Sequence, residues 1–164
     1  MKITDQLKQG YLLFDGGMGT LLQKQGLKPG ELPETWNITH KQTIIEMHKA
    51  YYQAGSDVIS TNTFGANRLK FTGKDGTYSV EEIIGAAMDN AVCARAQMPK
   101  DRERYIALDV GPCGKLLKPL GDLDFEDAVE LFAQMIRCGA EHGADLILIE
   151  TMNDAYETKA AVLA

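Results

Sequence analysis

The sequence predicts an α/β fold in which four strand–helix units follow one another on a parallel sheet. Three observations carry this. Four short runs rich in Ile, Leu and Val, at 11–15 (YLLFD), 57–61 (DVIST), 105–110 (YIALDV) and 145–150 (DLILIE), show no clean polar alternation, as expected of strands covered on both faces. Patterns of helical period lie between them. Glycine-rich or polar loops follow the first three runs, at 16–20, 62–67 and 111–121, where α/β folds place their active sites.

The elements are justified in order. Run 11–15 closes on Asp15 and leads into the turn Gly16-Gly17-Met18-Gly19-Thr20. A helix over 41–54 sets Ile44, Ile45, Met47, Tyr51 and Tyr52 at helical spacing, with Thr39 and Gln42 as a capping box and Gly55 as the C-terminal stop. A second helix over 80–97 opens on a Ser79/Glu82 capping box and carries the stripe Ile83, Ala87, Ala91, Ala94. A third, over 125–142, presents Phe125, Ala128, Phe132, Met135 and Gly139 on one face and stops at Gly143. A fourth begins at 154 under an Asn153 or Asp154 cap. Alternating βαβα implies parallel strands and right-handed crossovers. A complete eight-stranded barrel takes roughly 250 residues. Four units therefore fit either a small open sheet or the first half of a barrel, and periodicity leaves both open.

Composition narrows the function classes. The 164 residues include 17 Lys+Arg against 23 Asp+Glu, a net charge of −6, and 45% are hydrophobic. A chain of this kind folds around a core and lacks the basic face that nucleic acid requires. No apolar run is long enough to span a membrane, and residues 1–10 carry no apolar signal core, so a cytoplasmic location is expected. Cys93, Cys113 and Cys138 form no close pair, which argues against a disulfide scaffold or a self-contained zinc site. His40, His48 and His142 have no partner at ligand spacing and read as surface or capping residues.

Candidate site residues gather at the strand ends. Asp15 ends one buried strand, and the open turn Gly16-Gly17 lets a ligand approach the backbone; a tight turn with a capping acid fits equally well. Thr61, Asn62 and Thr63 could orient a polar ligand through hydroxyls and an amide, or simply cap the next helix. Glu150 ends the strand DLILI. If strands one and four open on the same face, Asp15 and Glu150 can bind an ammonium group between them, or act as an acid/base pair. Cys113, in Gly-Pro-Cys-Gly-Lys, would face the same mouth, as a thiol activated by Lys115 or as an inert turn residue. Trp36 either packs over the sheet end or covers a ligand.

Five collinear motifs, FDGGMGTLLQ (14–23), PETWNITH (33–40), AGSDVISTNTFGANR (54–68), DVGPCGKLLKPLGD (109–122) and GADLILIETMND (143–154), resemble the homocysteine S-methyltransferase domain, most closely its cobalamin-dependent form. The resemblance implies that residues 1–164 are a single partial domain, the first half, (βα)4, of a TIM-type (βα)8 barrel. It also implies methyl transfer to the homocysteine sulfur, giving methionine. Asp15 and Glu150 match the two acids that contact the substrate amino group. Gly16 and Gly17 match the turn whose backbone lies against the amino acid, and Thr61, Asn62 and Thr63 match the polar loop near the substrate. The family's zinc ligands are three cysteines on later strands, so no metal ligand is assigned to Cys93, Cys113 or Cys138. Methylcobalamin on a separate module is the implied methyl donor, with a betaine- or S-methylmethionine-dependent relative as the alternative. The implied partners are homocysteine and either the remainder of the barrel or a second copy. A non-catalytic binding or assembly subunit is the reading from a different class.

Overall fold

The computed structural model describes residues 3–8, 10–74 and 77–164. Helices α1 (Ile3–Leu7), α2 (Gly19–Lys24) and α3 (Trp36–Thr39), with a 3-10 turn at Pro33–Thr35, precede the first regular unit. Then follow α4 (Lys41–Ala54), β1 (Val58–Ser60), α5 (Val80–Ala96), β2 (Tyr105–Val110), α6 (Phe125–Glu141), β3 (Leu146–Ile149) and α7 (Ala155–Leu163). The sheet is parallel in the order β1-β2-β3, with Val58 opposite Tyr105 and Asp109 opposite Leu148. Among the described residues no helix is long and apolar enough to cross a membrane.

The expected first strand, 11–15, lies beside β1 but makes only one parallel bridge, Phe14 to Val58. The N–H groups of Asp57 and Val58 both donate to Leu13 O, at 2.8 and 3.1 Å, while Leu13 N donates to the Asp57 carboxylate at 3.0 Å. Two donors converging on one carbonyl, as in a bulge, interrupt the ladder. The segment still delivers Asp15 to the sheet end, because Asp15 N donates to Val58 O at 3.0 Å.

Strand alternation sorts the core into two layers. Ile59, Ile106, Leu108 and Val110 face α5, α6 and α7 and share a cluster with Ile83, Phe132 and Ala160. Val58, Tyr105 and Ala107 point the other way and pack with Leu146, Leu148, Leu12 and Ile3. Gly139 lets α6 lie close on the sheet, since a Cβ there would stand 2.6 Å from Leu108 Cδ2.

The caps follow the sequence with one correction. Ser79 Oγ accepts from Glu82 N at 3.1 Å and Ser79 N donates to Glu82 Oε2 at 2.8 Å, the reciprocal box. Gly55 closes α4 in the left-handed region, with φ 116°. Asp154 caps α7 by accepting from Tyr156 N at 2.8 Å. The Thr39/Gln42 box is absent: Thr39 is the last residue of α3 and its hydroxyl donates back to Thr35 O, so His40 stands at the N-cap of α4 instead. Trp36 is a packing residue, buried with Leu22, Ile44 and Met47 and stacked on His40.

Candidate ammonium site at the strand ends

The layer turned away from α5, α6 and α7 ends in carboxylates. Asp109 stands two residues beyond Ala107 on β2, and Glu150 two residues beyond Leu148 on the neighbouring β3, so alternation puts both on that face. Asp15 joins them from the 11–15 segment. Its two oxygens accept from Ser60 N and Ser60 Oγ, each at 2.9 Å, which ties the acid to the end of β1. Glu34, in the 3-10 turn, is a fourth carboxylate: only 4% exposed, it accepts from Gly65 N at 2.7 Å.

The four acids act on one another. Burial pushes the Asp15 carboxyl up to about 6, against the pull of its two Ser60 hydrogen bonds and with a further push from Glu150. Burial first, and then the charges of Glu150, Asp15 and Glu34 and a hydrogen bond with Glu150, push the Asp109 carboxyl up to about 8. Thr151, immediately after Glu150, holds a left-handed φ of 54°, a conformation that a β-branched residue adopts only when its surroundings impose it.

The polar loop after β1 is stapled to β2. Thr63 Oγ1 donates to Asp109 O at 2.7 Å, Thr61 Oγ1 lies 2.7 Å from Thr63 Oγ1, and Asp109 N donates to Thr61 Oγ1 at 3.2 Å. Asn62 Nδ2 donates to Pro33 O, and Asn62 O accepts from Asn37 Nδ2. Asn37 O in turn accepts from Asn90 Nδ2 on α5, so this relay fixes the loop from the helix layer. Gly16 and Gly17 sit on the exposed side of the site without positive φ. Their role is close approach: a Cβ on Gly16 would meet Tyr51 Oη at 3.2 Å, and Tyr51 Oη donates to Gly17 O at 3.0 Å.

Two expectations are corrected. Cys113 is 1% exposed and faces the core; its N–H donates to the buried Glu157 carboxylate at 2.7 Å. Burial, followed by its hydrogen bond to Glu157, pushes the thiol up to about 11, the opposite of activation. His48 is not at the surface: it is fully buried on α4 with no hydrogen-bond partner on either ring nitrogen, and burial lowers it to about 4. Sequence reasoning passed over Asp109 and Glu34. A charged residue inside the apolar run YIALDV was a legible signal for Asp109, whereas nothing local marks Glu34 as buried.

These shifts predict a pH dependence of stability. The folded pKa of Asp109 lies above its ordinary 3.8, so its contribution is full below about pH 4 and is lost as pH rises to about 8. Asp15 acts in the same sense up to about 6. His48 opposes both, because a base lowered from 6.5 to about 4 costs stability as pH falls through that window. Above 6.5 Asp109 dominates: the remaining contributions of Asp15 and of unfolded-state His48 are each about a few tenths of a kcal/mol and of opposite sign. Urea unfolding is expected to show stability falling by about 1–2 kcal/mol between pH 6.5 and 8. Asp109→Asn should flatten that arm, and an unchanged arm would assign it to other groups.

Fold and site together define a parallel α/β domain with a carboxylate-lined mouth at its C-terminal strand ends. A profile of the homocysteine S-methyltransferase family matches residues 12–164, and the chain belongs to that family. It is similar to the methionine synthases of Mycobacterium tuberculosis, 32% identical over 173 residues, and Mycobacterium leprae, 29% identical over 169. In each case the likeness covers 98% of this chain and 14% of the relative. Among solved structures, the metallated form of the homocysteine methyltransferase MmuM from Escherichia coli shares the fold, with a TM-score of 0.81 at 24% identity over 97% of this chain and 60% of that one. The apo form of MmuM gives a TM-score of 0.72 at 26% identity, over 96% of this chain and 55% of that one.

Proposed function

We propose that this chain is the homocysteine-binding first half, (βα)4, of a TIM-type methyltransferase barrel. The observation that carries the reading is that Asp15 and Glu150 stand close enough for the Glu150 charge to push Asp15 up, in a family whose name specifies the substrate. An amino acid brings an ammonium group, and two strand-end carboxylates are its natural acceptors. Gly16 and Gly17 offer backbone against which the amino acid can lie. Thr61, Asn62 and Thr63 line the same mouth and hold its shape. The barrel reading is supported by the sheet edges: among the described residues β3 has a strand neighbour on one side only, and the 11–15 segment lies at the other edge. Open edges and a half-covered inner layer fit completion by the remainder of a barrel or by a second copy.

In the complete enzyme the reaction is methyl transfer to the homocysteine sulfur. A free thiol with a pKa near 8.5 is mostly protonated at neutral pH, and the zinc that the family resemblance implies would supply the thiolate. The residues of this chain do not fit that ion. Among the described residues no group of three or more His, Cys, Asp and Glu is arranged to hold a metal. Cys93 lies on α5 and Cys138 on α6, while Cys113 is turned to the core. What the residues of this chain do is bind and orient: the carboxylates fix the amino end of the substrate and leave its sulfur pointing to whatever completes the site. The likeness to methionine synthases favours methylcobalamin, on another module, as the methyl donor over betaine or S-methylmethionine. A binding or assembly subunit is the second reading, favoured by the unsuited cysteines.

The test is calorimetric titration of this chain with L-homocysteine. Saturable binding at one ligand per chain, absent with a thiol that lacks the amino group, supports the reading. Equal binding of the amine-free thiol would overturn it.

A further inference from the structure

Asp109 belongs to the mouth, yet the ammonium pair of Asp15 and Glu150 does not require it. Its side chain is 8% exposed and its Oδ1 has no hydrogen-bond partner. An acceptor oxygen buried in this way calls for a partner, and a ligand donor at the mouth would supply one. The groups that face it are all acidic: Glu150 from the end of β3, Asp15 from the 11–15 segment and Glu34 from the 3-10 turn. Glu34 also keeps one buried oxygen, Oε2, without a partner. A Cβ on Gly65 would meet both Lys70 Nζ and Glu34 Oε1, so this base stands beside Glu34. The phenol of Tyr51 lies beyond Asp15, at Gly17 O.

We propose that Asp109 is a third wall of the ammonium pocket, and that the ligand's ammonium enters in exchange for a proton which Asp109 carries in the empty site. This rests on the ammonium reading above. In the empty site a protonated Asp109 adds no further negative charge to the carboxylates packed around it. An arriving primary ammonium offers three N–H donors, one each for Asp15, Glu150 and Asp109. The Asp109 proton then leaves to solvent, its carboxylate is ionised, and the ligand keeps its own three protons. One positive charge enters as one leaves, so the net charge of the site does not change. The same arithmetic gives selectivity. A quaternary ammonium has no N–H to offer, and an N-methylated amino acid has fewer, so both leave a buried carboxylate oxygen unsatisfied.

The experiment is titration of the chain with L-homocysteine at pH 6.5 in two buffers of different ionisation enthalpy, repeated from pH 6 to 8. The wild-type chain is expected to release close to one proton per ligand bound at pH 6.5. Its affinity should rise by up to about tenfold per pH unit and level off near pH 8. The Asp109→Asn chain should bind more weakly, with little proton release and a profile that is flat above about pH 6.5, where Asp15, pushed up to about 6, is mostly ionised. A thiol proton would persist in that variant, so the two sources are separated. Wild-type binding without proton release and without pH dependence overturns the exchange and leaves the ammonium reading standing. Proton release that survives Asp109→Asn also overturns it. Failure of the wild-type chain to bind homocysteine overturns the ammonium reading, and this inference with it.

Discussion

Replacing Asp15 with Asn is expected to weaken homocysteine binding roughly 10- to 100-fold, the loss of one charge-assisted contact of about 1.5–3 kcal/mol. The change is close to isosteric. An Asn oxygen can still accept from Ser60 N or Ser60 Oγ, which hold Asp15 at 2.9 Å, so the end of β1 should keep its shape. What disappears is the negative charge that a ligand ammonium would meet. The unfolding midpoint at neutral pH is expected to hold or rise, because a partly buried acid pushed up to about 6 is ionised there at a cost to the empty fold. Isothermal titration and urea unfolding on the same preparation separate the two effects. Unchanged affinity at unchanged stability would remove Asp15 from the ammonium site and leave it as a cap on Ser60.

Phe132→Ala is expected to cost about 3–5 kcal/mol of folding stability, the range for truncating a fully buried aromatic side chain. Phe132 is 0% exposed on α6 and shares the central cluster with Ile106, Leu108, Ile83 and Leu131. The site depends on this layer, since α6 supports the strand whose end carries Asp109. A domain with a total stability of roughly 5–15 kcal/mol would lose a large part of it. Leu120→Ala is the control: that side chain is 81% exposed, so its truncation should change stability by less than about 0.5 kcal/mol. A denaturant midpoint for Phe132→Ala equal to that of Leu120→Ala would contradict the two-layer description of the core.

Helices α4 to α7 were legible because their signals are local, whereas the short α1, α2 and α3 were not expected. Ser79 with Glu82, Gly55 and Asp154 each mark a terminus through groups a few residues apart, and the structure realises all three. β2 was legible because every residue from Tyr105 to Val110 is buried, the pattern of a strand covered on both faces. The irregular pairing at 11–15 was not, because it depends on where the Asp57 carboxylate falls across the sheet. His48 was misplaced although it stands four residues after Ile44 on the buried stripe; its residue type outweighed its position. Asp15 and Glu150 were legible as acids that end apolar runs. Their company was not. Asp109 reaches the site only through the register of β2 against β3, and Glu34 only through its bond to Gly65. The four-carboxylate mouth is a tertiary property, assembled from segments that share no local pattern.

The central claim is that a homocysteine ammonium group sits between the strand-end carboxylates. A crystal structure of the chain with L-homocysteine tests it most directly. The account predicts the ligand nitrogen within about 2.7–3.0 Å of a carboxylate oxygen of Asp15 and of Glu150. A ligand bound with its amino group in solvent, or with its carboxylate at that end, would contradict it.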